Sequence, residues 1–264
     1  MKNIEQGEIE RNGRGSPIVG GVTYPRVTTL TGRGEDKSGL MNYSLELGVK
    51  GVYDSPDLQA AYAMLRKGDW KAKRQFMDDV KRRARSDEKA TIGTAIHEAT
   101  DRLDSGEDIS GLPKVIRDDA LAYRATVDRL GLVPEVAELF VVNEEIGAAG
   151  TLDRLFAGSK GLIVGDLKTS ANPESAKWAL SSWASQISVY ANSRPVVDGA
   201  IVDWSDIGLA APSLETAVVI HVVQGEAIGK AYRVDLVEGY ERAKASAFLY
   251  QQDKIFRKMD KTPL

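Results

Sequence analysis

A short apolar segment that ends in two charged residues constrains the fold of this chain more than any other feature. It covers residues 161–169 and reads Gly-Leu-Ile-Val-Gly-Asp-Leu-Lys-Thr. Its apolar run predicts a strand that is covered on both faces and is therefore central in a sheet. Because side chains alternate along a strand, Asp166 and Lys168 must point to one side and Leu167 to the other. Charged groups at the end of a buried strand are costly unless they are paired, bind a metal or take part in chemistry.

A second carboxylate lies thirteen residues upstream of Asp166. Asp153 interrupts another strand-like segment, Gly-Thr-Leu-Asp-Arg-Leu-Phe at residues 150–156. The sequence between the two segments, Ala-Gly-Ser-Lys-Gly, has the composition of a hairpin loop. Adjacent strands lie about 5 Å apart, so the hairpin predicts that Asp153 lies across from Asp166 or Lys168. Converging carboxylates repel each other, and a hard divalent cation is a natural way to hold them, although a structural ion pair is the alternative.

Two helical patterns carry further polar residues at a spacing of four, which places each pair on one helix face. Gly93 precedes His97 in the first pattern, and Gln186 precedes Tyr190 in the second. Taken alone, His97 is explained as well by a satisfied polar side chain, and the Gln186 helix by a stripe of core residues. The other histidine of the chain, His221, lies in a continuous apolar run and is expected to be simply buried.

Four motifs in this order resemble the RecB-like branch of the PD-(D/E)XK nuclease superfamily, which includes the Cas4 nucleases and phage recombination exonucleases. The similarity covers roughly residues 90–190, and a weaker similarity to a segment of the phage members covers residues 24–30. The four motifs are Gly93 to His97, Gly150 to Asp153, Gly165 to Lys168, and Gln186 to Tyr190.

The resemblance implies an α/β fold, with a central mixed β-sheet flanked by helices and a helical N-terminal part. It implies a metal-dependent DNA nuclease, in the first place an exonuclease of DNA recombination, repair or phage replication. The alternatives are a structure-specific or single-strand endonuclease on the same core, and a catalytically silent DNA-binding subunit of a recombination complex. The implied partners are DNA and a recombinase, a single-strand annealing protein or a helicase, and the resemblance also allows an oligomer.

The resemblance also implies a role for each site residue. The metal, Mg²⁺ or Mn²⁺, would be bound by His97, by the carboxylates of Asp153 and Asp166, and by the Leu167 carbonyl. Lys168 would orient the attacking water or stabilise developing charge. Gln186 and Tyr190 would position the DNA strand or Lys168. Weaker candidates for a further ligand are Glu138 and Glu98.

Composition limits the chemistry and the location that are expected. The chain of 264 residues has no cysteine, so the thiolate ligands of the iron–sulfur cluster found in many Cas4 proteins are absent. Neither a signal peptide nor an apolar run of membrane-spanning length occurs, which predicts a cytoplasmic protein that does not enter a membrane. We expect a flexible tail at residues 1–20 and one nuclease domain at 21–264, with a helical part at about 21–130 and a catalytic core at about 90–235.

Basic residues cluster before the His97 helix, although the net charge of the chain is −3. Phosphate binding depends on local charge rather than on the total, so this cluster is a candidate DNA contact, with a solvated helix face as the alternative. Trp70 could stack on a base, but packing into the core is the expectation for it. The candidate DNA-binding residues are Lys81, Arg82, Arg83 and Arg85.

Periodicity predicts the remaining elements and a crossover helix after the Asp166 strand. Helices are predicted at about 56–67, 70–84, 92–104, 113–130, 174–192 and 236–258. Strands are predicted at about 135–143, 148–157, 161–168, 198–203, 216–224 and 230–235.

Overall fold

The computed structural model describes residues 1–2, 4–83 and 88–258. The chain forms two compact units. One unit comprises Met1–Glu35 and Ile96–Leu264, and the other comprises Asp36–Ala95. Within the described residues, no helix is both long enough and apolar enough to cross a membrane.

Nine strands and eight α-helices make up the described part of the chain, together with 3₁₀ turns at Gly32–Gly34 and Trp204–Ile207. The strands are β1 Ile18–Val19, β2 Val22–Thr23, β3 Val133–Asn143, β4 Ala148–Gly158, β5 Gly161–Ser170, β6 Arg194–Val197, β7 Ala200–Ile201, β8 Thr216–Val223 and β9 Ile228–Asp235. The helices are α1 Val27–Thr31, α2 Ser38–Tyr53, α3 Pro56–Ala63, α4 Trp70–Arg83, α5 Glu88–Asp104, α6 Lys114–Arg129, α7 Ala176–Ala191 and α8 Leu236–Lys258.

The larger unit is built on a mixed sheet of seven strands in the order β7-β6-β3-β4-β5-β8-β9. Strands β3, β4 and β5 form an antiparallel meander, and β8 then pairs with β5 in parallel. Helix α7 lies in the connection between β5 and β8, as a parallel pair requires a crossover. The prediction of an α/β fold with a central mixed sheet flanked by helices is confirmed.

Strand β5 is central because its own sequence is apolar on both faces. Val164 and Leu167 point in opposite directions, and both are buried. Gly165 has no side chain because the ring of Phe156 on β4 fills the space where a Cβ would lie. The strand therefore ends inside the sheet with its two charged residues facing α7 rather than bulk solvent.

The residues expected to form a flexible tail are instead attached to the sheet. Lys2 N donates to Glu135 O at 2.7 Å, and Asp198 N donates to Gln6 O at 3.0 Å. The Gln6 side chain accepts from Phe140 N at 2.5 Å, and Val19 on β1 is buried. These hydrogen bonds satisfy backbone groups of β3 and of the turn between β6 and β7, a role that low hydrophobicity in the first twenty residues did not indicate.

The smaller unit contains α2, α3, α4 and the first part of α5. Phe76 and Val80 of α4 are buried against Leu58 of α3. Helix α2 was not among the predicted elements, because many of its apolar residues are exposed and give it no clear apolar stripe.

Candidate active site

Asp153 and Asp166 are neighbours across the β4–β5 hairpin. The register pairs Arg154 with Gly165, and the next residues along the two strands are Asp153 and Asp166. Asp153 Oδ2 also accepts a hydrogen bond of 3.1 Å from Leu167 N, so Leu167 contacts the site through its backbone amide. The predicted convergence of the two carboxylates is therefore present.

Lys168 points to the same side of β5 as Asp166, as strand alternation predicts. Its Nζ lies 2.7 Å from Asp166 Oδ2 and donates to Gln186 Oε1 at 3.4 Å. The Leu167 side chain points to the other face and is buried in the sheet core. Lys168 is thus held between a carboxylate of β5 and an amide of α7.

His97 reaches the carboxylates from α5. Its Nδ1 lies 3.9 Å from Asp153 Oδ2. Burial lowers the pKa of His97, and the nearby Arg154 guanidinium lowers it further, against the opposing effect of Asp166. The imidazole is therefore neutral at pH 7, which is the form that can donate a lone pair to a metal.

Gln186 and Tyr190 share one face of α7, as their spacing predicts. Gln186 Nε2 donates to Tyr190 OH at 3.2 Å, so the contacts run from Lys168 through Gln186 to Tyr190. Tyr190 packs against Gly150, where an added Cβ would lie 3.0 Å from Tyr190 Cε1. The close approach of this ring therefore favours glycine in the Gly-x-x-Asp motif.

The segment at residues 24–30 lies beside the same part of β4. Ala149 N donates to Pro25 O at 3.0 Å, and Arg26 forms a parallel bridge with Ala149. A Cβ added at Gly150 would lie 3.4 Å from Val27 Cγ2. The segment that resembles phage proteins is thus next to the Gly-x-x-Asp motif in space, although more than one hundred residues separate them in sequence.

The charges of the site perturb one another. Burial raises the pKa of Asp166 to about 6, and the Asp153 charge adds to this while Lys168 opposes it. Burial also raises the pKa of Asp153. For Lys168, burial alone would lower the pKa, but the Asp166 and Asp153 carboxylates together raise it above its usual value. Lys168 is therefore a charged ammonium in this arrangement rather than a neutral amine.

The oxygen and nitrogen atoms of the site are of the types that bind a hard divalent cation. Asp166 Oδ1 is buried and has no hydrogen-bond partner in the part of the chain that the structure describes. Carboxylate oxygens and a neutral imidazole are ligands for Mn²⁺, and oxygen ligands also suit Mg²⁺. Across the same residues, no three His, Asp or Glu side chains are already at metal-binding distance from a common point. The positive charge next to Asp166 is instead supplied by Lys168.

Glu138, which was only a weak candidate for a metal ligand in the sequence, lies next to the site carboxylates. The flanking pairs Ala137–Arg154 and Leu139–Leu152 place Glu138 opposite Asp153, so three acids lie in a row on β3, β4 and β5. Partial burial of the carboxyl group and the Asp153 charge raise the pKa of Glu138 to about 7, although the residue as a whole is exposed, as Glu98 is. Its backbone has a φ of 52°, which is uncommon for a residue other than glycine. Glu98, the other weaker candidate, is exposed.

A buried ion network supports the site, and the sequence analysis missed it. Arg154 is fully buried and pairs with Asp101 and Asp104 of α5. Its Nη1 also donates to Asp153 O at 2.8 Å. His97, Asp101 and Asp104 share a helix face at i, i+4 and i+7, and that spacing was a signal available in the sequence. Arg154 thus fixes the helix that carries His97 to the strand that carries Asp153.

His221 has the structural role expected of it. It is buried on β8 and contacts Ser170 Oγ through Nε2 at 2.8 Å. The register places it beside Lys168 on the neighbouring strand. Burial lowers the pKa of His221, so it adds no charge next to the lysine.

Three of the four residues predicted to bind DNA, Lys81, Arg82 and Arg83, form the last turn of α4 in the smaller unit. Arg82 pairs with Asp79 at 3.2 Å and Arg83 pairs with Asp57 at 2.7 Å, and Lys81 precedes them in the same last turn. Arg85 lies outside the described residues. Both described arginines are therefore already engaged by carboxylates.

Comparison with known proteins supplies no independent assignment. No protein-family model matches the chain, and no curated protein is significantly similar to it.

Proposed function

We propose that this chain is a metal-dependent deoxyribonuclease of the RecB-like PD-(D/E)XK type, and that it acts as an exonuclease. The observation that carries the proposal is the convergence of residues from separate motifs. Asp153, Asp166, Lys168 and His97 come from three elements. Lys168 lies 2.7 Å from Asp166, His97 lies 3.9 Å from Asp153, and the Leu167 amide links Asp153 to β5 at 3.1 Å. A purely structural ion pair between Asp166 and Lys168 would not require a second carboxylate and a histidine at the same place.

The proposed roles follow from the charge state of each group. Asp153, Asp166 and the neutral imidazole of His97 would hold the cation, and Glu138 is a candidate for a further ligand. When bound, the cation would supply Lewis-acid stabilisation of the scissile phosphate and activation of water. Lys168 would donate to a phosphate oxygen as charge develops, because its raised pKa suits a charged donor better than a base. Gln186 would orient the ammonium through their 3.4 Å contact.

Digestion of labelled DNA tests the proposal. Linear and closed circular DNA, single- and double-stranded, would be incubated with Mn²⁺, Mg²⁺ or EDTA, beside an Asp166→Asn control. The expected result is metal-dependent loss of linear DNA alone, absent in the variant. Cleavage of closed circular DNA would show that the protein acts as an endonuclease rather than as an exonuclease. No cleavage of any substrate with either metal would refute the enzyme and favour a DNA-binding subunit.

Metal binding has a readout that does not depend on cleavage. A ligand that binds the native state raises its apparent stability, so Mn²⁺ is expected to raise the melting temperature of the wild-type protein. Asp166→Asn should lose this increase. An equal increase in the two proteins would place the metal elsewhere.

Lys168→Ala separates catalysis from DNA binding. Loss of a charged donor to the transition state is expected to lower the cleavage rate about 100-fold or more, with DNA affinity changed by no more than a few-fold. The matched control is Lys160→Ala, which removes an exposed lysine from the loop of the same hairpin. Equal losses of rate and affinity in Lys168→Ala would contradict the catalytic role.

A further inference from the structure

Trp70 in the smaller unit is exposed, which overturns the expectation that it packs into the core. It begins α4, and 77% of its surface is accessible. Tryptophan is highly buried on average because its ring offers a large apolar area. An indole left in water at the start of a helix therefore has no role in the packing of this unit.

Helix α4 is anchored through an adjacent side, which Lys73 partly shares with Phe76 and Val80. Phe76 and Val80 are buried in the small core of the unit, whereas Trp70, Lys73 and Arg74 follow one another at i, i+3 and i+4. This spacing places the last three on one helix face. Lys71 is exposed next to them. We call Trp70, Lys71, Lys73 and Arg74 the Trp70 face.

The Trp70 face carries positive charge that is not neutralised by carboxylates. Lys73 Nζ lies 5.1 Å from the centre of the Trp70 ring, a cation–π distance. Lys71 and Arg74 form no ion pair within residues 1–2, 4–83 and 88–258. Residues 66–83 contain eight Lys and Arg against three Asp, in a chain whose net charge is −3. The basic surface is thus available at the start of α4, whereas Arg82 and Arg83 at its end are paired.

We propose that the Trp70 face binds single-stranded DNA, with an unpaired base stacked on Trp70 and phosphates held by Lys71 and Arg74. The choice of DNA rests on the proposed nuclease function. An aromatic ring among free cations is the arrangement by which proteins hold single strands, and stacking needs a base that is not already in a duplex. A protein partner fits less well, because lysine is depleted in protein–protein interfaces.

The consequence for the enzyme is a second attachment point for the strand on the same chain as the site. Such attachment raises the effective concentration of substrate without touching the reacting atoms. The loss of Trp70 should therefore raise KM for single-stranded substrate and leave kcat unchanged.

Binding measured in EDTA tests the inference without cleavage. The affinity of the full chain for a fluorescein-labelled oligothymidine would be followed by anisotropy for the wild type, Trp70→Ala, Trp70→Phe and Leu45→Ala. Leu45 is the control, because it is an apolar residue of the same unit that is 67% exposed. Trp70→Ala is expected to weaken binding about 5- to 100-fold, and Trp70→Phe to retain most of the affinity. Binding by Trp70→Ala that matches Leu45→Ala would overturn the inference.

Two further arms test the choice of ligand. Lys71→Gln combined with Arg74→Gln should reduce the dependence of log affinity on log salt concentration by about 1.4, since each phosphate contact on a single strand contributes about 0.7. A duplex of the same length is expected to bind with no sensitivity to Trp70. Tighter binding of duplex, or of an oligouridine, would overturn the assignment to single-stranded DNA.

The two proposals can fail separately. If Trp70→Ala loses affinity but the wild-type protein cuts nothing with Mn²⁺ or Mg²⁺, the binding surface stands and the nuclease fails. If the wild type digests DNA, and Trp70→Ala binds and digests single strands as well as the wild type, the nuclease proposal stands and the proposed binding surface fails.

Discussion

Replacement of Arg154 by methionine is expected to destabilise the larger unit more than any change at its surface. Arg154 Nε donates to Asp104 Oδ2 at 2.9 Å, and Tyr123 OH donates to the same oxygen at 2.7 Å. A further bond of 3.1 Å joins Arg154 to Thr100 Oγ1. The side chains of Arg154 and Asp104 are both fully buried. Methionine fills a similar volume but leaves the Asp104 carboxylate without its main counter-charge.

The size of the effect follows from what remains around Asp104. Loss of one partner of a buried ion pair costs about 3–5 kcal/mol, because the other charge stays buried and uncompensated. Arg124 lies 3.5 Å from Asp104 Oδ1 and is partly exposed, so it compensates in part. We therefore expect the lower end, about 3 kcal/mol, which is a large part of the 5–15 kcal/mol that typically stabilises a protein.

Urea denaturation followed by circular dichroism measures this loss. Arg129→Met is the control, since Arg129 is exposed at the end of α6. Combining Arg154→Met with Asp104→Leu should cost less than the sum of the single changes, because the double variant no longer leaves the fully buried Asp104 carboxylate without its arginine. A loss below about 1 kcal/mol for Arg154→Met, or strict additivity in the double variant, would refute the reasoning.

Two other properties of the sheet can be tested in the same way. Burial raises the pKa of Asp166 to about 6, so the folded state holds this proton more tightly than the unfolded chain does, and the stability of the wild type relative to Asp166→Asn should fall as the pH rises from about 4 to 7 in EDTA. Thermal melts across that range check the sign, and a rise would contradict it. Gly165→Ala would drive a Cβ into the buried Phe156 ring and is expected to cost about 1–3 kcal/mol, whereas Gly13→Ala, with open space at its Cβ, should cost much less. Equal urea midpoints for the two alanine variants would show that the ring can move aside.

The local parts of the site could be predicted because they depend on short stretches of chain. Strand alternation alone places Asp166 and Lys168 on one side, and a short hairpin loop leaves Asp153 few positions other than beside Asp166. Helical spacing likewise pairs Gln186 with Tyr190. The structure agrees with each of these because no distant contact is needed to produce them.

Other features were decided by contacts between segments far apart in sequence. Arg154 meets Asp104 across fifty residues, and nothing in the sequence next to either one specifies that pairing. The first residues read as a polar tail until the edge of β3 provides their hydrogen-bond partners. Trp70 reads as a core residue, and only the packing of α4 through Phe76 and Val80 leaves it outside.

The sequence by itself therefore determined which side chains make up the candidate site, namely two carboxylates and a lysine on one hairpin and a histidine on a helix. Only the tertiary structure decided which basic side chains of α4 remain without an ion pair, that Glu138 lies in a row with the two aspartates, and how α5 is fixed to β4. The physical reason is that alternation and helical spacing are properties of a few consecutive residues. Burial and ion pairing depend instead on which distant surfaces exclude water from each other.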